Sequence, residues 1–349
     1  VQAVQKLFRE YTGYIRARLE GTDGEMAQIA CNYPADQDEI HAESMEEQKA
    51  NWFSGARIQP VVQGMELALE LDRNTWYDLY QRNPIERFAE QYWKENGIDG
   101  WEEYKTIPDR LYIGNAFCHL LFPKEEQLFA LMEKAIVENM EITLVFPCMR
   151  EFQVEEQGKL LKKVDNWCEK RQTRVEILVN DWGMTALVKE SGKHLEPCLG
   201  VLLNKQKKDP RMRYKKGSTR GLGESNLQAD FYRTFLKDTY GITRYEWESC
   251  GYPQVFPQGK NSLHLPYYQT NTSQYCPLYA SCTEGERGKQ RLPEHCPGYC
   301  EQYAYLYSEH LHMAGRYNSL FGLDAELVKH PEKLKAYQQA GIDRLVIGL

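Results

Sequence analysis

From about residue 108 the chain alternates short, unbroken apolar runs with longer amphipathic stretches, and this alternation restricts the fold more than any other feature. Leu111–Gly114, Ile142–Phe146, Val175–Val179 and Leu199–Leu203 are the runs, each closed by Gly, Pro or Asn. A strand apolar on both faces must be covered on both faces, which is the situation of a parallel sheet flanked by helices. Glu125–Val137 and Gly158–Arg171 carry apolar side chains at helical spacing and supply that cover. Arg244–Glu248 and Ser262–Leu265 continue the series, and a helix through Tyr337 leads to a last strand over 342–347. So many units in series predict an α/β fold of the (β/α)8 TIM-barrel type.

Residues 1–105 read differently. Val4, Leu7, Phe8 and Tyr11 recur at helical spacing, as do Trp76, Leu79 and Tyr80, then Phe88, Tyr92 and Trp93. Residues 55–64 read as an extended segment between helices. The expected organisation is a mostly helical N-terminal region over 1–105, which may hold the unassigned first barrel strand, and a barrel over 106–349 with a cysteine-rich loop at 276–300. The net charge is −7, and residues 1–100 carry 18 acidic against 10 basic side chains, so the rest of the chain stands near +1. The acidic third is a partner-facing surface or a solvated helical face.

The chain has ten cysteines in 349 residues, too few for a disulfide scaffold. The sequence shows no apolar leader and no apolar run near the ~18 residues of a membrane span, which points to a reduced, cytoplasmic setting. Four cysteines stand out: Cys276, Cys282, Cys296 and Cys300, spaced C-x5-C-x13-C-x3-C. Pro277, Gly285, Gly288, Pro293, Pro297 and Gly298 let that segment turn sharply enough for thiolates to converge on one soft metal centre. The spacing suits zinc and an iron–sulfur cluster alike. Cys31, Cys148, Cys168, Cys198 and Cys250 are dispersed and read as small buried residues. Tyr299, Tyr303 and Tyr307 read as a helical stripe following the last cysteine pair.

Barrel chemistry gathers at the C-terminal ends of the strands. Asn115, Cys118 and His119 fall there, with Arg150, Asn180, Asp181 and Asn204 as polar groups able to orient a substrate. Cys118 then joins the same end as the cysteine loop, which opens a second ligand set of Cys118 with three of the four late cysteines. After Asn204 the chain is crowded with Lys205, Lys207, Lys208, Arg211, Arg213, Lys215, Lys216 and Arg220 against the single acid Asp209. Such a field attracts an anionic partner: a carboxylate-bearing metabolite, a phosphorylated group or RNA. RNA is the less favoured of these, since no RNA-recognition motif accompanies the loop and the whole chain is acidic.

LYIGNAFC at 111–118, VEILVNDWG at 175–183, LGVLLN at 199–204, YASC at 279–282, the C-x3-C at 296–300 and the final GIDRLVIG together resemble the collagenase-like peptidase family U-32. The similarity spans roughly 108–349 and is greatest to the iron–sulfur members acting in oxygen-independent ubiquinone hydroxylation. The resemblance implies a four-iron cluster on Cys118, Cys282, Cys296 and Cys300, with Cys276 surplus. It also implies a redox or hydroxylation role on a small or aromatic anionic substrate, with a protein partner in a hetero-oligomer. Peptidase activity is the weakest reading, because the sequence has no HExxH, no GxSxG and no metal-protease spacing among its eight histidines. The alternative from another class is a non-catalytic binding or maturation subunit with structural zinc in the late loop alone. Zinc there needs Cys276 and leaves Cys118 dispensable, and the cluster reverses both requirements.

Overall fold

The computed structural model describes residues 64–96, 98, 107–210, 221, 223–285, 288–289, 291–301, 303–306, 312–324, 326–330 and 332–348. The helical reading of Val4 to Tyr11, the reading of Cys31, the extended reading of 55–63 and the basic residues 211–220 lie outside them. The chain divides into two compact units, one over 53–208, 216–268 and 324–349, the other over 1–52, 209–215 and 269–323.

The first unit is a closed, all-parallel (β/α)8 barrel. Its staves are β1 (Glu66–Leu71), β2 (Arg110–Gly114), β3 (Glu141–Val145), β4 (Val175–Val179), β5 (Leu195–Leu199), β6 (Arg244–Glu248), β7 (Lys260–Thr272) and, after three short strands of the other unit, β11 (Arg344–Gly348). Closure comes from β11, which pairs in parallel with both β1 and β7. Helices α1 (Asn74–Arg82), α2 (Ile85–Glu95), α3 (Glu125–Val137), α4 (Val154–Arg171), α5 (Trp182–Ser191) and α6 (Asp230–Tyr240) connect the strands. The short α8 (Glu326–Lys329) and α9 (Glu332–Gln339) precede β11. Inside the barrel Ala68, Tyr112, Val145, Leu178, Cys198 and Val346 pack as one buried layer, the arrangement expected when alternate strand residues face inward.

The unassigned first barrel strand is Glu66–Leu71, within the N-terminal region, whose aromatic helices belong to the first β/α unit. Trp76, Tyr80, Phe88, Tyr92 and Trp93 are all buried, each contributing on the order of 1.5–3 kcal/mol of apolar burial. Trp76 and Tyr92 lie with ring centroids 4.7 Å apart, and Tyr92 Oη donates to the Ile347 carbonyl at 3.1 Å, tying α2 to the last stave. Two expectations change. The fifth strand is Leu195–Leu199, not Leu199–Leu203. After Leu199 the Gly200 amide still reaches the Val179 carbonyl, but the amides of Leu203 and Asn204 fold back onto the Gly200 carbonyl, so the apolar run there is a buried turn. The tyrosine stripe is not one helix: a single 3-10 turn covers Tyr299–Glu301, a strand follows at Tyr305–Leu306, and Tyr307 lies outside the described residues.

In the second unit the distal part of β7 meets β10 (Ser319–Leu323), which pairs antiparallel with β9 (Met313–Arg316), and β9 with β8 (Tyr305–Leu306). Thr270 Oγ1 donates to the Leu320 carbonyl at 3.1 Å, and Thr272 and Ser319 hydroxyls meet at 3.0 Å. Helix α7 (Pro277–Glu284) starts with Pro277 in its first turn and ends at Gly285, whose φ of +64° is the left-handed helix stop.

Candidate functional site

The barrel interior carries charge in two layers, one at each end of the strands. At the N-terminal end Arg344 binds Glu176 with both nitrogens, at 2.6 and 3.0 Å, and Glu66 at 2.6 Å. Arg110 takes the other Glu66 oxygen at 2.5 Å, and Arg244 is bidentate on Asp343 at 2.8 and 3.0 Å. Burial alone would raise the Glu176 carboxyl, but the hydrogen bonds and charge of Arg344, then Arg110 and Arg244, hold it down at about 2. Arg344 is likewise held charged by Tyr112, Glu176 and Glu66 against its own desolvation. Fork-to-carboxylate pairing of this kind satisfies buried charge within the protein.

Toward the C-terminal end the pattern changes. His264, on β7, donates from one ring nitrogen to Glu70 Oε1 and from the other to Glu246 Oε2, each at 2.8 Å. Glu246 is fully buried, and its second oxygen takes the Tyr112 hydroxyl at 3.1 Å. Arg344 in turn donates to that hydroxyl at 2.9 Å, so Tyr112 joins the two layers. Burial would depress the imidazole pKa, but the hydrogen bonds of Glu246 and Glu70 and their charges outweigh it and push it up to about 10. His264 is therefore an imidazolium between two carboxylates. Nearby on the strand ends, Glu248 is paired with Lys208 from the segment after β5, both nearly buried.

The residues singled out in the sequence take up distinct positions around this end. Asn180 Nδ2 donates to the Phe146 carbonyl at 3.1 Å and its Oδ1 accepts the Leu202 amide at 3.4 Å, so it braces the turn after β5. A Cβ at Gly200 would stand 2.1 Å from that Oδ1, which is why the turn has glycine there. Asp181 caps α5, accepting the Met184 amide at 2.8 Å and the Met149 amide at 2.7 Å. Arg150 precedes a 3-10 turn, with its amide on Gln153 Oε1 at 3.2 Å; together with burial, its charge lowers the pKa of His119. Asn204 Nδ2 donates to the Glu246 carbonyl at 2.9 Å, while its buried Oδ1 has no hydrogen-bond partner. Asn115 holds the Cys118 segment, its Oδ1 accepting the amides of Phe117 and Cys118 at 2.8 Å each. Cys118 itself is half-buried.

The other unit holds the late cysteines. The Tyr299 hydroxyl is raised first by burial, then by the charges of Cys282, Cys296 and Tyr279. The Gly298 amide donates to Cys296 Sγ at 3.4 Å, and Cys300 is buried. Cys276 caps α7: its sulfur accepts the Tyr279 amide at 3.3 Å and donates to the Tyr317 carbonyl at 3.1 Å. Among the described residues no three His, Cys, Asp or Glu side chains are gathered about one metal position. Cys282 and Cys296 carry the sulfur donors that a thiolate-bound metal takes. Among the described residues no helix is long and apolar enough to cross a membrane.

Sequence reasoning missed Glu70, Glu246 and His264. Their signal was present: ELALEL, RYEWE and SLHL each place a polar residue at alternate positions in a strand whose other positions are apolar. In a half-exposed sheet that alternation marks the wet face; in a closed barrel it marks the interior. These features define a (β/α)8-barrel protein with a polar interior and a separate cysteine-bearing unit. No family model, curated protein or solved structure matches the chain.

Proposed function

We propose that this chain is an iron–sulfur protein of the U-32 type, with a redox or oxygen-independent hydroxylation role on a small or aromatic substrate whose anionic end is drawn to the lysines after β5. The observation that carries the reading is the Gly298 amide on the Cys296 sulfur in a loop whose Cys282 and Cys296 both act electrostatically on Tyr299. Cys118, Cys282, Cys296 and Cys300 are the proposed ligands, and a four-iron cluster bound by them would supply one-electron transfer. Cys276 is engaged as a helix cap, which suits its place outside the set. On the protein side, the Gly298 amide orients the Cys296 sulfur, Asn115 fixes the backbone at Cys118, and Asn204 and Arg150 offer polar contacts to a substrate at the C-terminal strand ends.

The full chain purified without oxygen tests this directly through visible absorption, iron and acid-labile sulfide. Broad visible absorption with iron and sulfide in the wild type, lost in Cys118→Ala and Cys296→Ala and kept in Cys276→Ala, is the expected result. One zinc without sulfide, lost in Cys276→Ala and kept in Cys118→Ala, would replace it with the structural-zinc reading.

A further inference from the structure

We propose that a cavity on the outer flank of the barrel, between the loop after β6 and α9, is a binding site for a flat aromatic molecule carrying an N–H donor, with Gln254 Oε1 as its acceptor. The inference goes beyond the metal reading and does not rest on it.

The fold makes room there. A (β/α)8 barrel covers the outward face of each strand with the helix that follows it, but residues 249–259, between β6 and β7, contain no helix. Buried Trp247 of β6 packs instead against Phe256 of that loop, edge-on with ring centroids 5.0 Å apart, and Phe256 in turn meets Tyr337 of α9 at 5.9 Å. Beside these rings is a cavity of about 530 Å³, also lined by Leu327, Ala336 and Ala340, and every residue that lines it belongs to the barrel unit. Ala336 and Ala340 stand one turn apart, the Ala340 amide bonded to the Ala336 carbonyl at 3.0 Å, and their short side chains leave room on the α9 side. Small-molecule sites usually occupy ~300–1,000 Å³ and are walled by apolar and aromatic side chains with a few polar groups, and this cavity has both properties. Rings packed against Phe256 and Tyr337 would gain the edge-on and offset contacts that aromatic pairs prefer.

Gln254, which lines the same cavity, sets the polar requirement. Its Nε2 donates to the Glu248 carbonyl at 2.9 Å, which fixes the orientation of the amide, and its Oε1 is buried with no hydrogen-bond partner among the described residues. An orphaned acceptor on the wall of a cavity calls for a donor from whatever fills it. The carboxylates lining the cavity are engaged: Asp324 accepts the Ser249 hydroxyl and, at 3.3 Å, the Glu326 amide, and Glu326 binds Lys333 at 2.9 Å. The Tyr337 hydroxyl is pushed up to about 12, first by burial and then by the Asp324 charge, so this part of the wall stays neutral near pH 7. A ring N–H supplies the missing donor without a charge that the apolar lining would have to desolvate.

Indole and benzofuran share one shape and differ in a single N–H, and their binding to the full chain can be followed by calorimetry and by the 13C-methyl signals of Ala336 and Ala340. Indole should bind in the millimolar range or tighter, about tenfold tighter than benzofuran, and its ring should move both methyl signals. Ala336→Trp should fill the cavity and abolish binding of both compounds, and Gln254→Met should bring indole down to the benzofuran level. Neither compound binding the wild type, both binding equally well, or the methyl signals staying unmoved would each overturn the proposal. Indole binding undiminished to Ala336→Trp, or an unchanged preference in folded Gln254→Met, would do the same. The wild-type ratio and methyl shifts decide the matter even if Gln254→Met does not fold. None of these outcomes bears on the iron and sulfide content, so the two proposals fail separately.

Discussion

At the N-terminal end of the barrel Arg110, Arg244 and Arg344 are shared among Glu66, Glu141, Glu176 and Asp343, whereas toward the C-terminal end Glu70 and Glu246 share the His264 imidazolium and Glu248 pairs with Lys208. Both layers use residues that are expensive to bury, and both supply partners from within the chain. They differ in how the charge is held, by guanidinium forks at one end and by a single imidazolium bridge at the other. The arginine layer reads as a fastening between staves far apart in sequence: Glu66 and Arg344 join β1 to β11, and Glu176 draws Arg344, Arg110 and Arg244 onto β4. In the imidazolium layer, among the described residues, Oε2 of Glu70 and the buried Oδ1 of Asn204 have no hydrogen-bond partner. This asymmetry agrees with the division of labour in (β/α)8 barrels, stability at one face and chemistry at the other.

The comparison breaks most readily at Arg344. Arg344→Met removes the guanidinium that neutralises Glu176 and Glu66 and leaves buried carboxylate behind, so the loss should be about 3–5 kcal/mol in urea unfolding. A loss under about 1 kcal/mol would mean that the arginine layer does not fasten the barrel.

His264 should come next, at about 3 kcal/mol for His264→Asn near neutral pH, because Glu246 would remain buried without its cation. Its pH dependence is a sharper test. With the folded pKa raised from 6.5 to about 10, the stabilisation is complete below the unfolded value and is lost as pH rises through the folded one. Wild-type stability should therefore fall between about pH 6.5 and 10, and His264→Asn should lack that component. Equal slopes in the two proteins would show that the imidazole is not held charged by its two carboxylates.

The order in which these features could be read from the sequence follows from where their signals lie. The staves β2, β4 and β6 and helix α3 were legible because an apolar run between turn residues, or an apolar face at helical spacing, is a local pattern. β1 was hidden because ELALEL, with a carboxylate at each end of its interior face, does not form a continuous apolar run. β5 was displaced because Pro197 and exposed Glu196 made the true strand look broken, while the buried turn Gly200–Leu203 looked like strand. The polar residues at strand ends were legible as a group, but their tasks were not: Asp181 and Asn180 hold backbone, and that depends on which amides the fold brings to them. Glu70 and His264 are 194 positions apart in the chain, and no local pattern could have paired them.

Asp181 separates the structural part of the C-terminal end from the part free to bind. It accepts two backbone amides, one within its own helix and one from the loop after β3. Asp181→Ala should lower stability by about 1–2 kcal/mol, and Asp181→Asn, which keeps an acceptor oxygen, by less. If both variants are as stable as the wild type, the cap is not what keeps aspartate there, and a direct role at the site returns.

Glu70→Gln should have the smallest effect on stability of the four. The glutamine carbonyl can still accept from His264, whose other ring nitrogen remains bound to Glu246, and the group it replaces had no partner on Oε2. The change removes one carboxylate charge and leaves the His264 bond with an acceptor, so unfolding should shift by no more than about 1 kcal/mol. It should also lower the His264 pKa, because Glu70 supplies one of the two hydrogen bonds that raise it. A loss near that of Arg344→Met would place Glu70 among the fasteners, and the two ends of the barrel would then differ in charge but not in purpose.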